Sequence, residues 1–346
     1  MTIKPSSSPS SPDQARSRVF GRLKRRALIV AAVALTGLAL GEVSLRQIWG
    51  LGSPPLLQGD RQTVYRYVPN QKLTRDGNSI RINQWSMRGD DLPTIKPSGE
   101  RRVLVFGDSI VNGGSLTDQA ELATEILQES INKELTAQIR VGNISAGSWA
   151  VPNSLGYLRR YGSFDADVIV IVVSTHDAGY LMPKKSDDWK QHGPWSAWEE
   201  LGLKLNLLSA DVVGLGIPDA PPTVDAKSMA VVSPSVEALG EFIELARQKG
   251  AVPVVATYLE RDEDIDHPLP GQLAFVEMAT KHGAKIVDLG RAFRDHKNPS
   301  PYRDHIHPNA VGQHLMADAL LPAILDALDT RASSGPSPPP TPIPSR

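Results

Sequence analysis

Apolar positions along this chain fall into two alternating patterns. Short unbroken apolar runs mark buried strands, and longer stretches with apolar residues every three or four positions mark helices. From Arg101 onward the two take turns. Residues 103–106 form a short apolar run between two arginines and a Gly-Asp-Ser turn, which predicts a buried strand. Residues 119–135 read as helix, 139–144 as strand and 151–161 as helix. The run 168–173 is entirely β-branched and is the strongest strand signal in the chain. An amphipathic helix at 235–249 leads to a strand at 252–257. A helix at 271–282 leads to a strand at 285–289, and a last helix covers 310–328. This alternation predicts βαβ units and a parallel sheet covered on both faces. In such sheets ligands bind beyond the carboxyl ends of the strands.

The flanks break the rhythm. Residues 1–26 begin Ser- and Pro-rich and end in a basic cluster, and are expected to be a disordered cytoplasmic tail. An apolar run begins at Ala27, and Glu42 interrupts it near its end. Up to Leu40 it has the length of a signal peptide; extended to Leu45 it is long enough to span a membrane. Positive charge before it predicts an N-terminus inside, so residues from about 46 onward face the periplasm or exterior. An uncleaved anchor is the preferred reading, with secretion after cleavage as the alternative. Residues 46–100, with short extended runs at 63–68 and 79–82, predict a small β-rich extension. The main domain is placed at 101–330 with a Pro-rich insertion at 178–234, and 331–346 read as a disordered Pro-rich tail.

Composition narrows the chemistry. With 346 residues, 40% of them apolar, the chain can bury a large core. A net charge of −1 argues against a nucleic-acid partner. The absence of cysteine excludes disulfides, thiolate metal sites and a cysteine nucleophile.

The chemically capable residues fall just after the predicted strands. Ser109 sits on a strand-to-helix turn, where a helix start adds N–H groups and a positive dipole end. A serine nucleophile needs a base, a group that orients the base, and donors for the oxyanion. Asp304 and His307 are spaced so that one loop presents both, with His307 as base and Asp304 fixing its tautomer. Taken singly, Gly-Asp-Ser is a common turn and Asp-x-x-His a common cap. The Gly-x-Ser-x-Gly elbow and the P-loop lysine are both missing. His305 beside His307 lacks further ligands, so neither a metal nor another cofactor is expected.

Together these blocks resemble the SGNH (GDSL-like) hydrolase family. Val103-Leu-Val-Phe-Gly-Asp-Ser109 is similar to its first block, Asn143-Ile-Ser-Ala-Gly147 to its second, and Asp304-His-Ile-His307 to its last. The resemblance implies a three-layer α/β/α sandwich with a mainly parallel (flavodoxin-like) sheet. It implies a triad of Ser109, Asp304 and His307, with oxyanion donors at Ser109 and Gly147. The third block departs from the family. Ser174-Thr175-His176-Asp177 stands where Gly-x-Asn-Asp is expected, so His176 takes the place of the oxyanion-binding asparagine. A neutral imidazole still donates one N–H, and His176 is expected to fill that role.

The expected function is a serine esterase removing O-acyl groups, with acetyl favoured, from an extracytoplasmic carbohydrate or small ester. One alternative is an O-acyltransferase modifying an exopolysaccharide with the same triad. Another is a non-catalytic glycan-binding protein that keeps the fold. Trp189, Trp195 and Trp198 in the insertion are candidate sugar-stacking residues, against the plainer reading that they pack the insertion onto the domain.

Overall fold

The structure is a computed structural model and describes residues 12–135, 138–179, 193–205, 233–296 and 298–333. Five parallel strands form the central sheet: β5 (Glu100–Gly107), β6 (Gln138–Ser145), β7 (Val168–Ser174), β8 (Val252–Tyr258) and β9 (Lys285–Asp288). Their order is β6-β5-β7-β8-β9, the flavodoxin-like order that the family resemblance implies. β5 and β7 lie in register from Val103 opposite Val168 to Phe106 opposite Ile171. Both are buried on both faces, which explains why they read as unbroken apolar runs.

Because side chains alternate along a strand, each strand feeds two cores. Leu104, Phe106, Ile169 and Ile171 face one layer, made by α4 (Val151–Tyr161), α7 (Pro234–Gln248) and α8 (Pro270–Lys281). Val103, Val105, Val168 and Val170 face the other, made by α3 (Ala123–Glu134), α9 (Leu289–Asp295) and α10 (Ala310–Ser333). The result is a three-layer α/β/α sandwich.

The β-rich extension is two antiparallel hairpins. β1 (Leu57–Asp60) pairs with β2 (Val64–Tyr67), and β3 (Gln71–Arg75) with β4 (Asn78–Ile82). They do not stand apart as a separate unit. Val64, Tyr65, Met87 and Leu92 join the α4/α7 core. Gly156 of α4 admits the backbone of Gln62 so closely that a Cβ there would sit 2.0 Å from the Gln62 carbonyl oxygen.

The apolar N-terminal segment is a helix, α1 (Pro12–Trp49), and its stretch Phe20–Trp49 is long and apolar enough to cross a membrane. Helix therefore begins at Pro12, inside the stretch expected to be disordered, because the basic residues continue the helical register instead of ending it. Of the insertion, α6 (Ala197–Lys204) is described; the remaining parts, and the tail 334–346, lie outside the described residues.

Candidate active site

Ser109 is the first residue of α2 (Ser109–Asn112), which starts directly after β5. The turn is tight: a Cβ on Gly107 would meet Val111 Cγ2 at 2.4 Å. Asp108 caps α2 by accepting from Ile110 N at 2.8 Å, a structural role. Gly113, with φ of 73°, ends the helix after one turn. Ser109 is thus held at a helix N-terminus at the carboxyl edge of the sheet.

Asp304 and His307 come from the loop before α10, and this loop is pinned on several sides. Tyr302 and Pro308 form an isolated antiparallel bridge, and Arg303 N donates to the His307 carbonyl at 2.9 Å. Tyr258 Oη, from the end of β8, donates to the Ile306 carbonyl at 2.6 Å. Asp304 Oδ1 accepts from the backbone N–H of His307 at 2.8 Å and of Ile306 at 3.0 Å. Asp304 Oδ2 lies 2.9 Å from His307 Nδ1, and His307 Nε2 lies 2.9 Å from Ser109 Oγ. Three side chains from opposite ends of the domain therefore form one continuous hydrogen-bonded relay. Slight burial works to raise the Asp304 pKa, but the two N–H donors and the His307 imidazole outweigh it. The carboxyl sits far below its ordinary range and stays ionised.

Gly147 follows β6, on the adjoining strand. Its carbonyl accepts from Tyr65 Oη at 2.6 Å, so the extension fixes the orientation of this peptide. Among the described residues its N–H has no hydrogen-bond acceptor.

His176 corrects an expectation. It lies in α5 (Thr175–Ala178), right after β7. Its Nε2 faces Asp108 Oδ2 at 3.2 Å, with Asp177 Oδ1 at 3.5 Å. Its Nδ1 faces Ser174 Oγ at 2.6 Å and Glu260 Oε1 at 3.1 Å. Both ring nitrogens are turned to these partners, so in this arrangement neither N–H is free for an oxyanion. Burial disfavours the imidazolium, but Asp177, Asp108 and Glu260 outweigh it and raise the His176 pKa well above its ordinary value. Burial, reinforced by Asp108, pushes Asp177 up to about 7 against the pull of His176. One imidazole thus sits among three carboxylates beside the serine, and His176 steadies Asp108, the cap of the helix that carries Ser109.

Two of the three candidate tryptophans lie against α1. Trp195 and Trp198 flank the start of α6, whose partners lie on α1. Trp198 Nε1 donates to the Leu38 carbonyl at 3.0 Å, and the Trp195 carbonyl accepts from Arg46. No hydrogen bond among the described residues joins either indole to the serine relay. Trp189 lies outside the described residues.

Sequence reading missed the contributions of Tyr65, Arg88 and Glu260. Arg88 is 1% exposed and donates to the carbonyls of Asn112 at 2.7 Å, Thr117 at 2.7 Å and Gly114. It thereby clamps the loop that follows α2. A lone arginine after a Ser-Met pair carries no signal of this; only the fold brings it under that loop.

Residues 105–315 match the model of the GDSL-like Lipase/Acylhydrolase family, and the chain belongs to that family. It is accordingly a serine hydrolase acting on ester bonds. Similar solved structures include a member of the lipolytic protein G-D-S-L family from Veillonella parvula, 17% identical, TM-score 0.39, covering 65% of this chain and 98% of that one. A carbohydrate acetylesterase family member from Sinorhizobium meliloti is 11% identical, TM-score 0.41, covering 66% and 99%. A catalytic mutant of the acetylxylan esterase Axe2 from Geobacillus stearothermophilus is 16% identical, TM-score 0.41, covering 67% and 96%. No curated protein matches the chain.

Proposed function

We propose that the protein is a membrane-anchored serine esterase that removes O-acyl groups, acetyl above all, from a carbohydrate outside the cytoplasm. The observation that carries the reading is the relay from Ser109 Oγ through His307 to Asp304, each link 2.9 Å long.

His307 Nε2 takes the Ser109 proton as Oγ attacks the acyl carbonyl carbon. The carbonyl oxygen becomes an oxyanion that accepts from the N–H groups of Ser109 and Gly147, with the dipole of the α2 start adding to them. The tetrahedral intermediate collapses, the ester C–O bond breaks, and His307 returns its proton to the departing sugar oxygen. Water then enters, gives a proton to His307 and attacks the acyl-enzyme. The free acid leaves and Ser109 recovers its proton. Asp304 stays ionised throughout, holding the Nδ1–H tautomer of His307. His176 supplies positive charge behind Asp108 in place of a direct N–H donation.

An assembled nucleophile, base and orienting carboxylate argue against the non-catalytic glycan-binding reading, since binding alone requires no such relay. The carbohydrate assignment rests on export: the domain follows a basic cluster and an apolar helix, the order that sends it to the surface where glycans carry O-acyl esters. Purified full-length protein, offered O-acetylated polysaccharide, is expected to release free acetate, and Ser109→Ala is expected to release none above background. Acetate release that survives Ser109→Ala overturns the mechanism. Acetylated acceptor glycan formed in place of acetate identifies a transferase.

A further inference from the structure

α6 and the outer end of α1 are built for one another. Glu42 Oε1 and Oε2 accept from Ala197 N at 2.9 and 3.0 Å, and Oε2 accepts from Trp198 N at 3.3 Å. The Glu42 carboxylate therefore satisfies the open N-terminus of α6, and Arg46 Nε joins it at 2.7 Å. The Trp198 ring lies over Gly41, where a Cβ would sit 2.2 Å from Cζ2, so only glycine fits without displacing it. Leu45, Leu51 and Ala197 close a small core of their own with Leu201 against it. A carboxylate in the apolar run, otherwise costly near a membrane, is thus fully engaged.

The position of this contact along α1 is informative. At about 1.5 Å of rise per residue, a hydrocarbon core of about 30 Å that begins after Arg26 ends close to Arg46. Leu38 and Gly41, which meet the Trp198 indole, then lie roughly 12 and 7 Å inside the outer boundary. Interfacial elements bury their apolar faces by about 5–10 Å. Trp195 is 91% exposed, and Trp49, Ile48 and Val43 on α1 are each at least half exposed. These large apolar side chains gather at the level where indole rings favour the boundary between lipid and water.

We infer that α6, with Trp195 and Trp198, is an interfacial seat that dips into the outer leaflet beside α1 and fixes how the catalytic domain stands on the bilayer. Its partner is the headgroup and upper acyl region of the membrane. The tryptophans serve lipid, not sugar, and the last turns of α1 belong to the folded domain. This rests on the membrane-anchor reading above.

The chain contains no cysteine, so a single Trp195→Cys can be labelled cleanly with the polarity-sensitive fluorophore NBD. The full-length protein is placed in vesicles of phosphatidylethanolamine and phosphatidylglycerol, with or without a lipid doxyl-labelled near its carbonyl. Leu273→Cys on α8, exposed on the body of the domain, is the control. The expected result is blue-shifted emission from the Trp195→Cys label that the doxyl lipid quenches, with water-like, unquenched emission from the Leu273→Cys label. Protein that resists alkaline extraction but shows water-like, unquenched emission from the Trp195→Cys label overturns the seat and leaves the anchor standing. Protein stripped from the vesicles by alkali overturns both.

Discussion

Replacing Arg88 with methionine tests whether the extension is part of the catalytic apparatus. Methionine keeps much of the volume and removes every N–H. Three backbone carbonyls, those of Asn112, Gly114 and Thr117, lose a charge-assisted donor in a place where the arginine is 1% exposed. Each buried acceptor left unsatisfied costs about 1–3 kcal/mol. The desolvation of a buried guanidinium, several kcal/mol, is regained and offsets much of that sum. A net loss of about 3 kcal/mol is expected, within the range for a broken buried polar network. At about 2.1 cal/mol/K of unfolding entropy per residue, that lowers Tm by roughly 4–6 °C for a protein of this size. The same carbonyls lie on α2 and the loop after it, so Ser109 loses a fixed position and kcat falls more than KM rises. Thermal unfolding followed by circular dichroism, with kinetics on p-nitrophenyl acetate below the transition, reads both effects. A Tm and kcat unchanged from wild type would refute the claim that Arg88 organises the serine loop.

Two other outcomes follow from the site. Asp304→Asn removes the carboxylate that holds His307 in its Nδ1–H tautomer; kcat is expected to fall by about 10⁴-fold with KM little changed, and a loss under tenfold in steady-state kinetics contradicts the role. The His176 cluster sets a pH dependence. Both His176 and Asp177 have raised folded pKa values, so the folded state keeps protons that the unfolded chain sheds. The His176 contribution is full below the ordinary histidine value and is lost as pH rises through its raised folded value; the Asp177 contribution fades as pH rises through about 7. Tm is therefore expected to fall between pH 6 and 8.5, and a rise over that window contradicts the raised values of His176 and Asp177.

What the sequence made legible follows the physics of each signal. β5 and β7 are buried on both faces, so their apolar runs were unmistakable, and α4 is bounded where the pattern predicted. The 119–135 helix is in fact a 3-10 turn at Gln119–Glu121 followed by α3, because Leu122 adopts an extended conformation between them. Helix α9, directly after β9, went unread, since seven residues carry too short a period to register. Ser109, Asp304 and His307 were visible because their spacing is local and their loops follow strands. The environment of His176 was not, because Asp108 and Glu260 reach it from other strands and only the folded sheet aligns them. The same holds for the tryptophans: the sequence left stacking and packing both open, and their neighbours on α1 come only from the packing of α6.

The most direct measurement is of Ser109 itself. A fluorophosphonate reacts only with a serine whose hydroxyl is activated by a neighbouring base. Treated full-length protein, digested and analysed by mass spectrometry, is expected to carry the phosphonyl adduct on Ser109, and His307→Ala is expected to abolish it. Folded wild-type protein that hydrolyses esters yet takes no adduct at Ser109, or takes it at another serine, would contradict the account.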